Sequence, residues 1–323
     1  MTGIPDEQLT FFEEQGYLLA KDLLDPVQDL DPVIREYEGV LDNLAIELFQ
    51  QRVIASTYDD LPFGERVTKI YGKSGRVHAQ YFDFSLPQGS VKKDTPFWAG
   101  PAVFHMLTSP RLLDAVETFI GPEIYSNPVQ HVRIKPPEHL TPINPDTGRI
   151  QLGITPWHQD NGVVLPDADE TDMLTAWFPL TDATIEQGCL CVIPKSHREG
   201  LMHHCPANWG LEIPQTVYER SNILPVPMQR GDVLFLHKHT CHSSLPNKSH
   251  EIRWSFDLRY NPIGQSTGRG AFPGFVARSQ SRPEQVLRDP EVWYQLWRET
   301  RDSLAQSEDH PFNRWSKDHP ACA

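Results

Sequence analysis

Apolar residues recur at two spacings along the chain, dividing it into a helical first part and a strand-rich middle. Residues 5–15 predict a short helix stopped by Gly16, followed by an apolar strand from Tyr17 to Ala20. Asp31 as N-cap and Pro32 in the first turn open a longer helix reaching about residue 52. Its face is the stripe Val33, Tyr37, Val40, Leu41, Leu44 and Leu48, a core-packing pattern without functional content. Residues 53–100 carry no clear period. Ser109-Pro110 begins another helix, with Leu112, Leu113, Val116, Phe119 and Ile120 on one face and Gly121 at its end. From about 125 to 262 the pattern changes to short β-branched or aromatic runs between Pro, Gly, Asn and Asp. HVRIK (131–135), LTAWFPL (174–180), CLCVIP (189–194), DVLFLH (232–237) and RWSFDLRY (253–260) predict a β-sandwich or barrel. A last helical piece runs from Glu291 to Leu304. With no repeat or linker, one domain over 1–323 is expected: a helical part to about 124, the β core, and an extension from about 263.

Charge narrows the partners. Against 29 basic residues stand 43 acidic ones, a net charge of −14, which disfavours nucleic acid and anionic membranes. The opening MTGIPDEQLTFFEEQGY has no basic and apolar leader, and no run is long enough to span a bilayer. Five cysteines (Cys189, Cys191, Cys205, Cys241, Cys322) without a C-x-x-C pair lead us to expect reduced thiols and a cytoplasmic protein. Cys241 reads as a passive, small apolar residue beside His242.

The candidate chemistry centres on Trp157-His158-Gln159-Asp160. On an extended strand His158 and Asp160 leave from one face. An isolated His-x-Asp pair is more often turn chemistry than a metal site, but His242 can supply a third ligand. Two histidines and one carboxylate with the remaining positions open form the facial triad of non-heme Fe(II) oxygenases. Arg253, eleven residues after His242, is a candidate for the carboxylate of a 2-oxoglutarate cosubstrate. Other motifs fail. Gly268, Gly270 and Gly274 lack dinucleotide-binding spacing, and no G-x-S-x-G elbow occurs. The run Asp167, Asp169, Glu170, Asp172 lacks the glycine and terminal Glu of a calcium loop and reads as a solvated loop near the site mouth.

Several stretches carry a family resemblance: FFEEQGYLLAKDLL, SPRLLDAVETFIGPEIY, RIKPP leading to PWHQD, AWFPLTDATIEQGCLCVIPKSHREG and RGDVLFLHKHTCHSSLPN. Over most of its length the chain resembles the phytanoyl-CoA dioxygenase family of Fe(II)/2-oxoglutarate oxygenases. The resemblance implies a mainly β core, a double-stranded β-helix (a cupin-like jelly roll) with flanking α-helices. It implies Fe(II), 2-oxoglutarate and O2, with succinate and CO2 released and a substrate C–H hydroxylated. It selects His242 over His237 and His239 as the distal ligand beside His158 and Asp160. It gives Arg253 and the Ser244 hydroxyl to the cosubstrate carboxylate, turns either Gln130 or His131 toward the cosubstrate, and matches Trp177 to a position near the iron. Related halogenases lack the carboxylate at Asp160, so its presence favours hydrogen abstraction without halogenation.

Strand alternation adds two expectations. His237 and His239 share a face opposite His242, and Ser255, Asp257 and Arg259 share the face of Arg253, with Asp257 paired to Arg259. The leading function is oxygenation of a small molecule. A catalytically silent metal- or ligand-binding jelly roll is the alternative from another class, and desaturation, cyclisation or epimerisation are alternatives within the enzyme. An acyl-CoA and a free small molecule both remain open as substrates.

Overall fold

A computed structural model describes residues 3–207, 210–218, 222–306 and 312–322. Its strands are β1 Tyr17–Ala20, β2 Ile124–Lys135, β3 Leu174–Pro179, β4 Leu190–Val192, β5 Cys205–Ala207, β6 Gly210–Glu212, β7 Leu224–Val226, β8 Val233–His237, β9 His242–Ser244, β10 Arg253–Pro262 and β11 Phe275–Arg278. The helices are α1 Asp6–Gln15, α2 Asp31–Gln50, α3 Phe63–Ser74, α4 Ala79–Phe82, α5 Pro101–Leu107, α6 Pro110–Ile120, α7 Gln215–Tyr218 and α8 Pro290–Leu304. A six-stranded sheet has the order β1-β8-β3-β10-β2-β11, a smaller one the order β7-β4-β9, and β5 pairs with β6. His158 extends the smaller sheet through an antiparallel bridge to His242. From β2 onward the chain passes to His158, back to β3, across to β4 and β7, back to β8, across to β9 and back to β10. That winding between two packed antiparallel sheets is the expected double-stranded β-helix.

The period-two alternation of the long strands separates two environments. In β10, Trp254, Phe256, Leu258 and Tyr260 join the core under the helices, as do Val132 and Ile134 of β2, Phe178 of β3 and Phe235 of β8. Between the sheets lie Trp177, Leu190, Val192, Val226, Leu234 and Leu236. The helix-side cluster takes the whole stripe of α2 and buried residues of α3, α5, α6 and α8. Because helices satisfy one face of the large sheet, its inner face is free to carry Arg253, Ser255, Asp257 and Arg259, all buried.

Several expectations need correction. Asp31 does not cap α2; it pairs with Arg230 at 2.6 Å, because a turn over 26–30 runs straight into the helix. The cap lies earlier, where Asp25 accepts the N–H groups of Val27 and Gln28 at 2.9 and 3.0 Å. In the unreadable stretch 53–100, α3 buries Val67, Ile70 and Tyr71 around polar positions and two glycines that hide the period. The cysteines are not all reduced: Cys205 and Cys322 form a disulfide across 117 residues, while Cys189, Cys191 and Cys241 are free and buried. The tail folding back, not local spacing, makes that pair. Among the described residues no helix is long and apolar enough to cross a membrane.

Tyr37 ties α2 to the sheet. Its hydroxyl donates to the Phe82 carbonyl at 2.8 Å, and its ring stands edge-on to Trp254 at 5.3 Å. Tyr37→Phe should keep the fold and cost about 1–3 kcal/mol in urea unfolding, because a buried carbonyl loses its donor. A midpoint equal to wild type would mean that carbonyl is satisfied elsewhere.

Candidate metal centre

The segment 158–160 is extended through Gln159 (φ −115, ψ 142) and then turns, so Asp160 opens a short helical turn over 160–163 and does not continue a strand. His158 and Asp160 still leave from one side. Gln159 points the other way, donating to the carbonyls of Gly200 and His239 at 2.8 and 2.7 Å and accepting the Met202 N–H at 2.7 Å.

His158 Nε2 and His242 Nε2 each lie 3.8 Å from Asp160 Oδ1, and the three ligand atoms fall within 4.8 Å of one another, all buried. Each imidazole donates its Nδ1 hydrogen to a carbonyl, His158 to Pro156 at 2.8 Å and His242 to Thr240 at 2.9 Å. A carbonyl only accepts, so the tautomer leaves both Nε2 lone pairs aimed at the carboxylate. Burial, reinforced by His242, holds the His158 pKa well below the usual imidazole value, which keeps it neutral. For Asp160, burial pushes the pKa up, but Arg259, the two imidazoles and Thr175 outweigh it and hold the carboxyl below its usual range. Arg259 donates to Asp160 Oδ1 and to the Val129 carbonyl, and Thr175 donates to Oδ2. The expected Asp257–Arg259 pair is therefore secondary, at 3.5 Å, because the metal-site carboxylate takes that guanidinium. Two imidazole nitrogens and one anionic oxygen converging on a buried point suit a divalent cation.

Arg253 is 1% exposed, stacks 5.4 Å above the Trp177 ring, and its three guanidinium nitrogens have no partner among the described residues. Burial first, then Arg133, lowers its pKa to about 10. Its cross-strand neighbour Lys135 donates to Ser244 Oγ at 2.8 Å, and Ser244 also accepts the Thr155 N–H at 2.8 Å, which leaves the hydroxyl hydrogen for another acceptor. A buried, unpaired cation beside a free hydroxyl donor fits an incoming carboxylate.

His131 lines a cavity of about 180 Å³ with His158, Arg133, Thr155 and Arg269, and its Nδ1 lies 2.9 Å from Asp83 Oδ2. Gln130 is buried instead against Ser126 Oγ and the Arg259 carbonyl, at a register shift of β2 against β10. His237 ends β8 and His239 sits in the turn after it, so alternation does not extend to His242. Burial makes the Cys241 thiol harder to ionise, raising it to about 11, in keeping with a passive role. The acidic run is not simply solvated: Asp169 pairs with Arg314 and accepts from Asn161 at 3.1 Å. Sequence reasoning missed Lys135 and Thr175. Alternation alone puts Thr175 on the face of Trp177.

The fold and this three-ligand site define a class: 2-oxoglutarate-dependent non-heme iron oxygenases, enzymes whose metal is iron and whose cosubstrates are 2-oxoglutarate and O2. Within it the chain belongs to the phytanoyl-CoA dioxygenase (PhyH) family, whose model matches residues 12–255. It is 31% identical over 165 residues to 1-deoxypentalenic acid 11-beta-hydroxylase of Streptomyces arenae, covering 45% of this chain and 54% of that protein. It is 26% identical over 264 residues to the peroxisomal phytanoyl-CoA dioxygenase of Bos taurus, covering 79% of this chain and 67% of that one. The solved non-heme monooxygenase ThoJ shares the fold at TM-score 0.51 and 18% identity, over 92% of this chain and 98% of its own.

Buried imidazoles make stability depend on pH. Burial lowers His204, His237 and His239 to about 4. Unfolded, they titrate near 6.5, so between about pH 6.5 and about pH 4 the unfolded chain binds more protons and stability falls with pH. The urea midpoint of the metal-free protein should therefore be lower at about pH 5 than at about pH 7. A flat profile would refute the buried neutral imidazoles.

Proposed function

We propose that residues 1–323 form one oxygenase domain that hydroxylates an unactivated C–H of a small-molecule substrate, with 2-oxoglutarate converted to succinate and CO2. The observation that carries this reading is Arg253, a buried guanidinium with no partner, joined through Lys135 and Ser244 to the strand of His242. Iron held by His158, Asp160 and His242 supplies the oxidising chemistry. The chain supplies orientation. Arg253 holds the far carboxylate of 2-oxoglutarate through its fork, Ser244 adds its hydroxyl hydrogen, and Trp177 shields the pair from water. The carbonyls of Pro156 and Thr240 fix the ligand imidazoles, while Arg259 and Thr175 keep Asp160 charged. His131 faces the cavity beside His158 and belongs with the substrate or cosubstrate; Gln130 supports the Arg259 strand. The relatives named above, by their names a hydroxylase and a dioxygenase of small organic molecules, support this choice of reaction.

Arg253→Ala should leave iron binding intact and raise the KM for 2-oxoglutarate at least tens-fold, since losing a shielded charged partner costs on the order of 2–5 kcal/mol. An unchanged KM would mean another group holds that carboxylate. His158→Ala and His242→Ala should each abolish iron binding and 2-oxoglutarate turnover with the fold retained. Near-normal turnover in either removes that residue from the ligand set. With a substrate in hand, isotopically labelled O2 in excess chloride should give a labelled hydroxyl in the product. A chlorinated product would overturn the reading of Asp160 as an iron ligand.

A further inference from the structure

A second cluster of metal-binding side chains lies where the tail meets β5. Donor atoms of His203, Cys205 and Cys322 lie within 4.8 Å of one another. The His203 Nε2 atom is buried and has no hydrogen-bond partner among the described residues. His319 stacks on His203 with ring centroids 3.7 Å apart, and its Nδ1 accepts the Ala321 N–H at 3.2 Å. The pattern His203-x-Cys205 and the returning Cys322 thus bring two sulfurs and one imidazole to one place. The cysteines stand as a disulfide in the structure. A disulfide alone leaves the buried His203 nitrogen unexplained.

We propose that this cluster is a second metal site, which takes Zn2+ through His203, Cys205 and Cys322 when the disulfide is reduced. A dithiol reductant delivers two electrons and two protons: the S–S bond breaks, two thiols form, and the reductant closes its own disulfide. Zn2+ then displaces both thiol protons to solvent and forms two bonds to sulfur and one to His203. Two thiolates and imidazole are the donor set of structural zinc, and iron of the facial-triad kind is not held by such sulfurs.

The position of the cluster gives it a task. The same tail carries Arg314, paired with Asp169, and Trp315, whose Nε1 donates to the Gly162 carbonyl at 2.6 Å. The Trp315 ring lies against His203 at 4.7 Å and His204 at 5.4 Å, and His204 Nε2 accepts the Gln159 N–H at 2.9 Å. The metal clasp therefore fastens the tail against the turn that holds His158 and Asp160. Either clasp, disulfide or zinc, keeps the tail in place, so the contact survives a change of redox state.

The test uses the full chain, stripped of metal, reduced with a dithiol that is removed anaerobically, and titrated with Co2+. A thiolate-to-Co2+ charge-transfer band should appear in the near ultraviolet and vanish as Zn2+ displaces cobalt. The triad His158, Asp160 and His242 contains no sulfur, so the band reports only the second site. Oxidised protein and Cys322→Ser should show no band and bind one Zn2+ equivalent fewer. His203→Gln, which keeps both thiols, should weaken Zn2+ binding roughly tenfold or more by removing a ligand. Reduced wild type without a thiolate band would overturn the proposal, as would a band that survives both Cys205→Ser and Cys322→Ser. Unchanged Zn2+ affinity in His203→Gln would overturn the assignment of that ligand.

Discussion

One buried carboxylate sets the terms for the rest of the molecule. Asp160 has no solvent exposure, and a lone carboxylate in such a place would take up a proton and cease to be a strong metal ligand. Arg259 and Thr175 prevent that, and they are cross-strand partners, Arg259 on β10 opposite Thr175 on β3. Both therefore reach Asp160 only in one register. A slip of one residue would turn each toward the helices and strand the charge. Buried ion pairs contribute little net stability, because desolvation offsets their attraction. Here the pair contributes specificity: it ties the register of the large sheet to the protonation state of the site.

The same alternation explains why so polar a surface can exist inside the protein. On β10 every second residue, Trp254, Phe256, Leu258 and Tyr260, packs under the helices, while Arg253, Ser255, Asp257 and Arg259 face the other way. The helical layer meets the strand's demand for apolar burial, so the inner face is released for chemistry. Its groups are unequally satisfied. Both terminal nitrogens of Arg259 are engaged, with Asp160 and Val129, whereas all three guanidinium nitrogens of Arg253 and the hydroxyl of Ser255 have no partner among the described residues. Unpaired donors in a shielded space favour whichever anion enters, and that imbalance distinguishes a binding face from a core.

How much of this was legible depended on how local each signal is. The ends of α1 and β1, the stripe of α2, the runs that became β3, β4, β8 and β10, and the His158-x-Asp160 pair follow from short-range period and motif. The β-rich core could thus be read from local pattern, while the jelly roll and the choice of His242 came from the family resemblance. The failures share a non-local cause. Asp31 looks like a cap until the preceding turn is seen to be continuous with the helix. Asp257 looks like the partner of Arg259 until Asp160 arrives from 99 residues away. Alternation could not carry His237 and His239 to His242, because a turn intervenes. Nothing in the spacing of Cys205 and Cys322 announces their bond, which exists only because the tail returns to β5.

That return matters because the ligands rest on unequal supports. His242 begins a strand paired on both sides, with β4 and with His158, so the smaller sheet holds it. Asp160 and the residues after it lie on a turn, where no ladder of backbone bonds fixes position. A backbone bond from the Asn161 N–H to the Lys238 carbonyl at 3.0 Å is supplemented by side chains. Gln159 bridges to Gly200, Met202 and His239, Asn161 reaches Asp169, and Trp315 from the tail grips Gly162. Asp169 in turn holds Arg314 of that same tail, so the acidic loop and the tail brace the turn from both ends. Metal geometry tolerates little displacement of a ligand oxygen, so the precision of the site at Asp160 depends on these loop and tail contacts as well as on Arg259 and Thr175 of the large sheet. The jelly roll supplies His242, its bridged neighbour His158 and Arg253, and the loops and tail help bring Asp160 to meet them.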